Sequence, residues 1–169
     1  MRLTGWRIQG NFPDLPKFVL IVAPHTSNWD FFHGACAYFA LQLETTWLVK
    51  HSALKGPTGA IARYFGAAGI NREQAGNIVH AYIAEFLRRE AMILTITPEG
   101  TRKKVKEWKS GFHRVAVAAK VPIVPVAFDF PQKLVIINPP FFPGEDFDKD
   151  LPAIKAHFNA NMARHPELF

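Results

Sequence analysis

The sequence predicts an α/β protein, a single-domain sandwich with a mostly parallel central sheet flanked by helices. Three observations lead there. Aliphatic runs of strand length alternate with stretches of helical period, the β-α-β-α order that builds parallel sheets. The 169 residues suffice for one domain with a real core. No internal repeat, low-complexity tract or linker divides them.

The elements follow in order. Phe18 to Val22 is a short apolar run ended by Pro24, the pattern of a buried strand. Ser27 or Asn28 can cap a helix running from Trp29 to Leu43, whose buried side is expected to hold Phe31, Phe32, Ala35, Cys36, Phe39 and Leu43. Thr46 to Val49 is a second strand. Gly56-Pro57 opens a short helix through Tyr64, Gly66 and Gly69 break it, and Ala67 to Ile70 is expected as a short third strand. Ala75 to Glu90 is the clearest helix, with Ile78, Val79, Tyr82, Ile83, Phe86 and Leu87 at helical spacing. Met92 to Ile96 is a buried strand, Pro98 to Gly111 a charged loop, and Phe112 to Lys120 a helix. Val121 to Phe128 is a strand whose Pro122 and Pro125 predict an edge or a bulge. Leu134 to Ile137 is one more strand, and a final helix is expected from about Leu151 to Arg164.

Composition narrows the function. The aliphatic runs fall well short of the ~18 apolar residues that cross a bilayer, and Met1 to Asp14 has no apolar core of a signal peptide. The expected location is cytoplasmic, possible contact with the inner face of a membrane being peripheral. Cys36 stands alone, which excludes an internal disulfide and cysteine-based zinc sites, and no His-Glu-x-x-His pattern is present. No metal and no cofactor are expected. The net charge of +6 invites nucleic acid, an anionic membrane or phosphorylated small molecules. Without a helix-turn-helix or RNP-type aromatics, nucleic acid is not an expected partner. Trp108 beside Lys103, Lys104, Lys106 and Lys109 suggests an interfacial wedge at a membrane, as does Pro139-Pro140-Phe141-Phe142-Pro143. The alternative for Phe141 and Phe142 is to cap the sheet edge.

Two segments carry chemistry. Val22-Ala23-Pro24-His25-Thr26-Ser27-Asn28-Trp29-Asp30 places His25 on a strand-to-helix turn and Asp30 in the first helical turn. With His25 outside the helix, the turn can fold back so that Asp30 accepts a hydrogen bond from the imidazole, an arrangement suited to a general base. The plainer reading is a capping pair. Ile96-Thr97-Pro98-Glu99-Gly100-Thr101-Arg102 follows a buried strand, and Gly100 permits a backbone closed to other residues. That turn is either a surface turn with a local ion pair, or an anion site with Arg102 as donor and Glu99 ordering a hydroxyl or a second Arg.

His25-x-x-x-x-Asp30 followed by Pro98-Glu99-Gly100-Thr101-Arg102 resembles the glycerolipid acyltransferase family. Gly69-Ile70-Asn71-Arg72 and Val121-Pro122-Ile123-Val124-Pro125-Val126 resemble two further blocks of it, and the four occur in the family's order. The resemblance implies that His25 is the base and Asp30 its orienting group. It implies that Arg72, Glu99, Gly100, Thr101 and Arg102 help hold an acceptor phosphate. The implied reaction moves a fatty acyl group from acyl-CoA or acyl carrier protein to the hydroxyl of a lysophospholipid such as 1-acylglycerol-3-phosphate. No Gly-x-Ser-x-Gly elbow exists, so direct transfer without an acyl-enzyme is expected. Thr97 departs from the family, where many members have an aromatic. Only Met1 to Pro24 precedes the His, where family members commonly carry an apolar helical segment. That leaves open a different lipid alcohol or a lyso-aminolipid as acceptor, and a non-catalytic lipid carrier as another class.

Overall fold

The segment Phe18-Val19-Leu20-Ile21 is shielded on both faces, as a strand in the middle of a sheet covered by two layers must be. The computed structural model describes residues 5–41, 43, 45–50, 54–64, 66–70 and 75–169, with side chains at all of these except 47–50, 68–70 and 75–77. In chain order the elements are β1 (Arg7–Gln9), β2 (Lys17–Ala23), α1 (Asn28–Leu41), β3 (Thr45–Lys50), α2 (Gly56–Tyr64), β4 (Ala67–Ile70) and α3 (Ala75–Arg88). There follow β5 (Met92–Ile96), α4 (Gly111–Ala119), β6 (Ile123–Asp129), β7 (Leu134–Ile137) and α5 (Phe147–Lys155), then two 3-10 turns, Ala160–Met162 and Pro166–Leu168.

The seven strands form one sheet in the order β1-β7-β6-β2-β5-β3-β4. All neighbours are parallel except β6 and β7. The α/β sandwich read from the sequence is therefore the observed architecture. Right-handed crossovers place α1 and α2 on one face, as the chain steps outward from β2 to β4, and α3 and α4 on the other as it returns. Two apolar clusters match that division. One gathers Tyr82 and Phe86 of α3, Phe112 and Val115 of α4 and Ile154 of α5. The other holds Phe18, Leu20, Val126 and Phe128 with Ala37 of α1.

Four expectations need correction. Pro125 lies in an interior strand, not at an edge. The ladder explains why. The Val19 N–H donates to the Pro122 carbonyl, so alternation turns the nitrogen position of Pro125 away from β2. It faces the end of β7, where the strand pairing begins only at Val126, so the missing donor falls outside the ladder. Asn138 instead donates its backbone N–H to the Pro125 carbonyl at 2.9 Å.

Second, the buried side of α1 consists of Asp30, His33 and Ala37, while Phe31, Phe32 and Phe39 face outward. The helix is apolar nearly all round, so periodicity could not choose its phase. The cap at its N-terminus does, as shown below. Leu87 of α3 is likewise exposed rather than buried.

Third, the last helix starts earlier and stops sooner than expected. Asp146 caps it by accepting from the Asp148 and Lys149 N–H groups, and it ends at Lys155. Fourth, Trp108 is a core residue against Phe158 and Phe169, so it is no membrane wedge. Phe141 packs on the core and bridges to Ile123, which favours the sheet-capping role, while Phe142 is exposed. The strand β1 carried no sequence signal of its own; its three residues extend the sheet through β7.

Candidate active site

The register of the sheet brings the two chemical segments together. β2 and β5 are adjacent and parallel, with Lys17 opposite Met92 and Ile21 opposite Ile96. Their carboxyl ends therefore release the His25 turn and the Thr97–Arg102 turn side by side, where α/β sheets place their ligands. The closest link is direct: the His25 backbone N–H donates to both carboxylate oxygens of Glu99, each at 3.1 Å.

Asp30 organises the first turn. Ser27 is the N-cap of α1, and its hydroxyl accepts from the Trp29 N–H at 3.1 Å. Asp30, three positions on, accepts the Ser27 N–H at 2.8 Å, which completes a capping box with Asp in place of Glu. The same Oδ2 accepts the Thr26 N–H at 2.8 Å and lies 3.1 Å from His25 Nδ1, while Oδ1 accepts the Ser27 hydroxyl. The capping pair and the His–Asp dyad are thus one structure. Burial would push the Asp30 carboxyl up. The hydrogen bond from His25, then the Ser27 N–H and the imidazole charge, outweigh it and hold the group below the ordinary carboxylate range. An ionised Asp30 fixes Nδ1 as the protonated nitrogen and leaves Nε2 its lone pair. The His25 side chain keeps 22% of its surface open, enough for a small hydroxyl to reach it.

Glu99 is 4% exposed, and burial pushes its pKa up to about 7, against the opposing His25 N–H bond and imidazole charge. The expectation that Glu99 orders a substrate hydroxyl does not match this geometry; its oxygens are turned to the His25 backbone. Gly100 has φ +65, the left-handed region that favours glycine, and its N–H donates to the Thr97 carbonyl at 3.0 Å. Thr101 accepts the Lys103 N–H, and Arg102 is exposed with no ion pair to Glu99. Arg72 lies outside the described residues. The strand that leads to it, β4, runs parallel to β3, so it ends on the same side of the sheet as β2 and β5.

Sequence reasoning missed the contribution of the C-terminal segment. The Thr26 hydroxyl accepts the His165 N–H at 3.3 Å, and the Phe130 N–H donates to the Met162 carbonyl at 2.9 Å. Arg164 lies over the ring of Trp29 at 5.3 Å and near that of Phe130. Nothing local marks these residues, since the contact closes 139 positions of sequence. His33, one turn beyond Trp29, is buried and stacked on Trp6 at 4.0 Å. Burial lowers its pKa, the Arg164 charge adds to that, and Asp30 opposes. A cavity of about 160 Å³ lies behind Glu99, lined also by Trp108, Lys155 and Phe169. Among the described residues no cluster of three His, Cys, Asp or Glu side chains is placed to hold a metal ion.

An imidazole braced by a buried carboxylate, beside a Glu-Gly-Thr-Arg turn at the carboxyl end of a parallel sheet, defines the class. A family model described as Acyltransferase matches residues 7–129, and the chain belongs to that family. Over 78 residues it is 38% identical to human 1-acyl-sn-glycerol-3-phosphate acyltransferase beta, a match that covers 43% of this chain and 28% of the human protein. The chain thus spans little more than a quarter of that relative. Its fold is similar to the crystal structure of the 1-acyl-sn-glycerophosphate acyltransferase PlsC from Thermotoga maritima, with TM-score 0.67 and 19% identity over 89% of this chain and 67% of that one. The glycerolipid acyltransferase resemblance drawn from the four sequence blocks agrees with the family model and the human relative, and the fold with that of the bacterial structure.

Proposed function

We propose that the protein transfers a fatty acyl group from a thioester donor to the hydroxyl of a lysophospholipid such as 1-acylglycerol-3-phosphate, with His25 as general base. The observation that carries the reading is the 3.1 Å contact of His25 Nδ1 with buried Asp30, while the His25 backbone N–H is bonded to Glu99. The named relatives support the acceptor class, since both act on acylglycerol phosphates by their names.

An alcohol is far too weak an acid to ionise near pH 7, so its proton must leave as the new bond forms. His25 Nε2 takes that proton while the oxygen attacks the thioester carbonyl. The resulting imidazolium is stabilised by Asp30, which keeps its own charge. The tetrahedral adduct collapses, the C–S bond breaks, and the proton passes from Nε2 to the departing thiolate. One C–O bond has replaced one C–S bond. Ser27 takes no covalent part in this scheme, since its hydroxyl is engaged with Asp30 and the Trp29 N–H. Acyl-CoA or acyl carrier protein is the donor, and both are acidic partners for a chain of net charge +6. Arg102, exposed at the end of the turn, and Arg72 are the candidate phosphate ligands. No described helix is long and apolar enough to cross a membrane.

The test is turnover of 1-acylglycerol-3-phosphate with acyl-CoA. His25→Ala is expected to lose roughly 10²–10⁴-fold in kcat. Arg102→Ala is expected to raise KM for the phosphorylated acceptor and spare a neutral one. An undiminished rate in His25→Ala would remove the assigned base. An equal Arg102→Ala loss on both acceptors would remove the phosphate role.

A further inference from the structure

The helix α1 has no charged residue on its outer surface. Its acidic and basic residues, Asp30 and His33, are both buried. Outward it presents Phe31 at 62% exposure, Phe39 at 58%, and Phe32 with Trp29 at nearly half. A helix that is apolar all round belongs inside a protein or in lipid, yet here one side of it faces away from the molecule. The patch does not stop at α1. A cavity of about 500 Å³ where the last turns of α1 and α2 meet the amino ends of β3 and β5 is lined by Phe39 and Tyr64 together with Thr45, Arg63 and Arg89, and α2 exposes Ile61 at 59%. Five aromatics and an isoleucine on these two helices exceed the scattered apolar residues of an ordinary surface.

We propose that the outer face of α1, continued by α2, docks on an anionic lipid surface and sets the His25 cleft at the level of the lipid head groups. The proposal rests on the acceptor being a membrane lipid. Charge argues for this occupant. Neither helix carries an acidic residue other than buried Asp30, while Lys55 and Arg63 adjoin the patch at α2 and Arg164 sits on Trp29. Aromatics with basic residues at their border are the composition of an interfacial helix. A second copy of the chain would bring those like charges together. The opposite layer shows what a water-facing surface of this protein looks like: α3 and α5 turn out Arg88, Asp148 and Lys149. Position supports the assignment as well. Trp29 is the second residue of the helix whose cap holds His25, so the patch begins at the mouth of the site.

The test is co-sedimentation with phosphatidylglycerol-rich vesicles and with phosphatidylcholine vesicles, followed by quenching of tryptophan by brominated lipid. The wild type should prefer the anionic vesicles and bind them less as salt rises. Phe31→Ser/Phe32→Ser should lose roughly tenfold or more in binding. Phe142→Ser, more exposed still but on a loop away from α1, should not. With Trp47 replaced by Phe in every protein compared, quenching should vanish in Trp29→Phe, because Trp6 and Trp108 are buried. Circular dichroism checks the fold of the double variant, and Phe39→Ser is the second probe should it unfold. Unchanged binding by the folded serine variants, a wild type that ignores vesicles, or a dimer dispersed by the same substitutions would each overturn the docking face. The double variant should turn over a water-soluble short-chain acceptor as wild type does. Vesicle binding without acyl transfer would overturn the proposed reaction and leave the docking face standing. Acyl transfer without vesicle binding would do the reverse.

Discussion

At the scale of residues, Asp30 serves as helix cap and as partner of His25 with the same oxygen. The two roles should separate experimentally. Ser27→Ala removes the hydroxyl that caps the Trp29 N–H, and should cost about 1 kcal/mol of stability with a small effect on rate; urea denaturation and kcat measured together check this. Glu99 provides a second test. Its folded pKa of about 7 lies above the ordinary glutamate value of 4.5. The folded state therefore binds more protons than the unfolded one between those pH values. Stability should fall as pH rises from 4.5 to 7, by on the order of 3 kcal/mol for an isolated group, and level off above. Glu99→Gln should flatten that slope in denaturation curves taken across the window. Asp30 acts oppositely: its depressed pKa adds stability that is lost only as pH falls below about 4. An unchanged slope in Glu99→Gln would mean that the buried carboxyl is not the titrating group. Glu99 also marks a limit of sequence reasoning. Its type and place in the motif were legible, but not that its carboxylate turns inward to the His25 N–H, because that bond spans 74 positions.

At the scale of elements, existence was easier to read than phase. Met92–Ile96 and Leu134–Ile137 have the boundaries expected from their aliphatic runs. The phase of α1 was not legible, because aromatics surround it and only the cap fixes which side turns in. The proline-bearing strand β6 was misplaced for a related reason. A Pro is excluded from interior strands only if its N–H would have been used, and the sequence does not say which way that nitrogen faces. In the loop after β5, Gly100 occupies φ +65. A Cβ there would also meet the Lys109 ammonium at 2.8 Å, a flexible group that can move aside. The cost of Gly100→Ala should thus come from the backbone, roughly 1–2 kcal/mol, and should appear as a lower melting temperature together with slower turnover as the turn reshapes. A Gly100→Ala protein as stable and active as wild type would show that the turn tolerates another conformation.

At the scale of the whole molecule, the site exists because β2 is central. It borders β5 on one side and β6 on the other, so the His25 turn inherits its position from the most buried strand. Phe18 on β2 is 1% exposed, and Phe18→Ala should cost about 3–5 kcal/mol in denaturant unfolding without touching the chemistry of molecules that remain folded. The alternation of strand and helix in the sequence sufficed for the sheet and for the carboxyl-end location of both motifs. It did not suffice for the return of the C-terminal segment to Thr26, which depends on α5 ending at Lys155 and not at Arg164.

The most direct measurement is a double-mutant cycle on kcat for acyl transfer with wild type, His25→Ala, Asp30→Asn and the pair. If Asp30 acts through the imidazole, each single change slows turnover strongly and the second adds little once the first is made. Losses that simply multiply, leaving the pair slower than either single variant by the full factor of the other, would contradict the account of His25 and Asp30 as one catalytic unit.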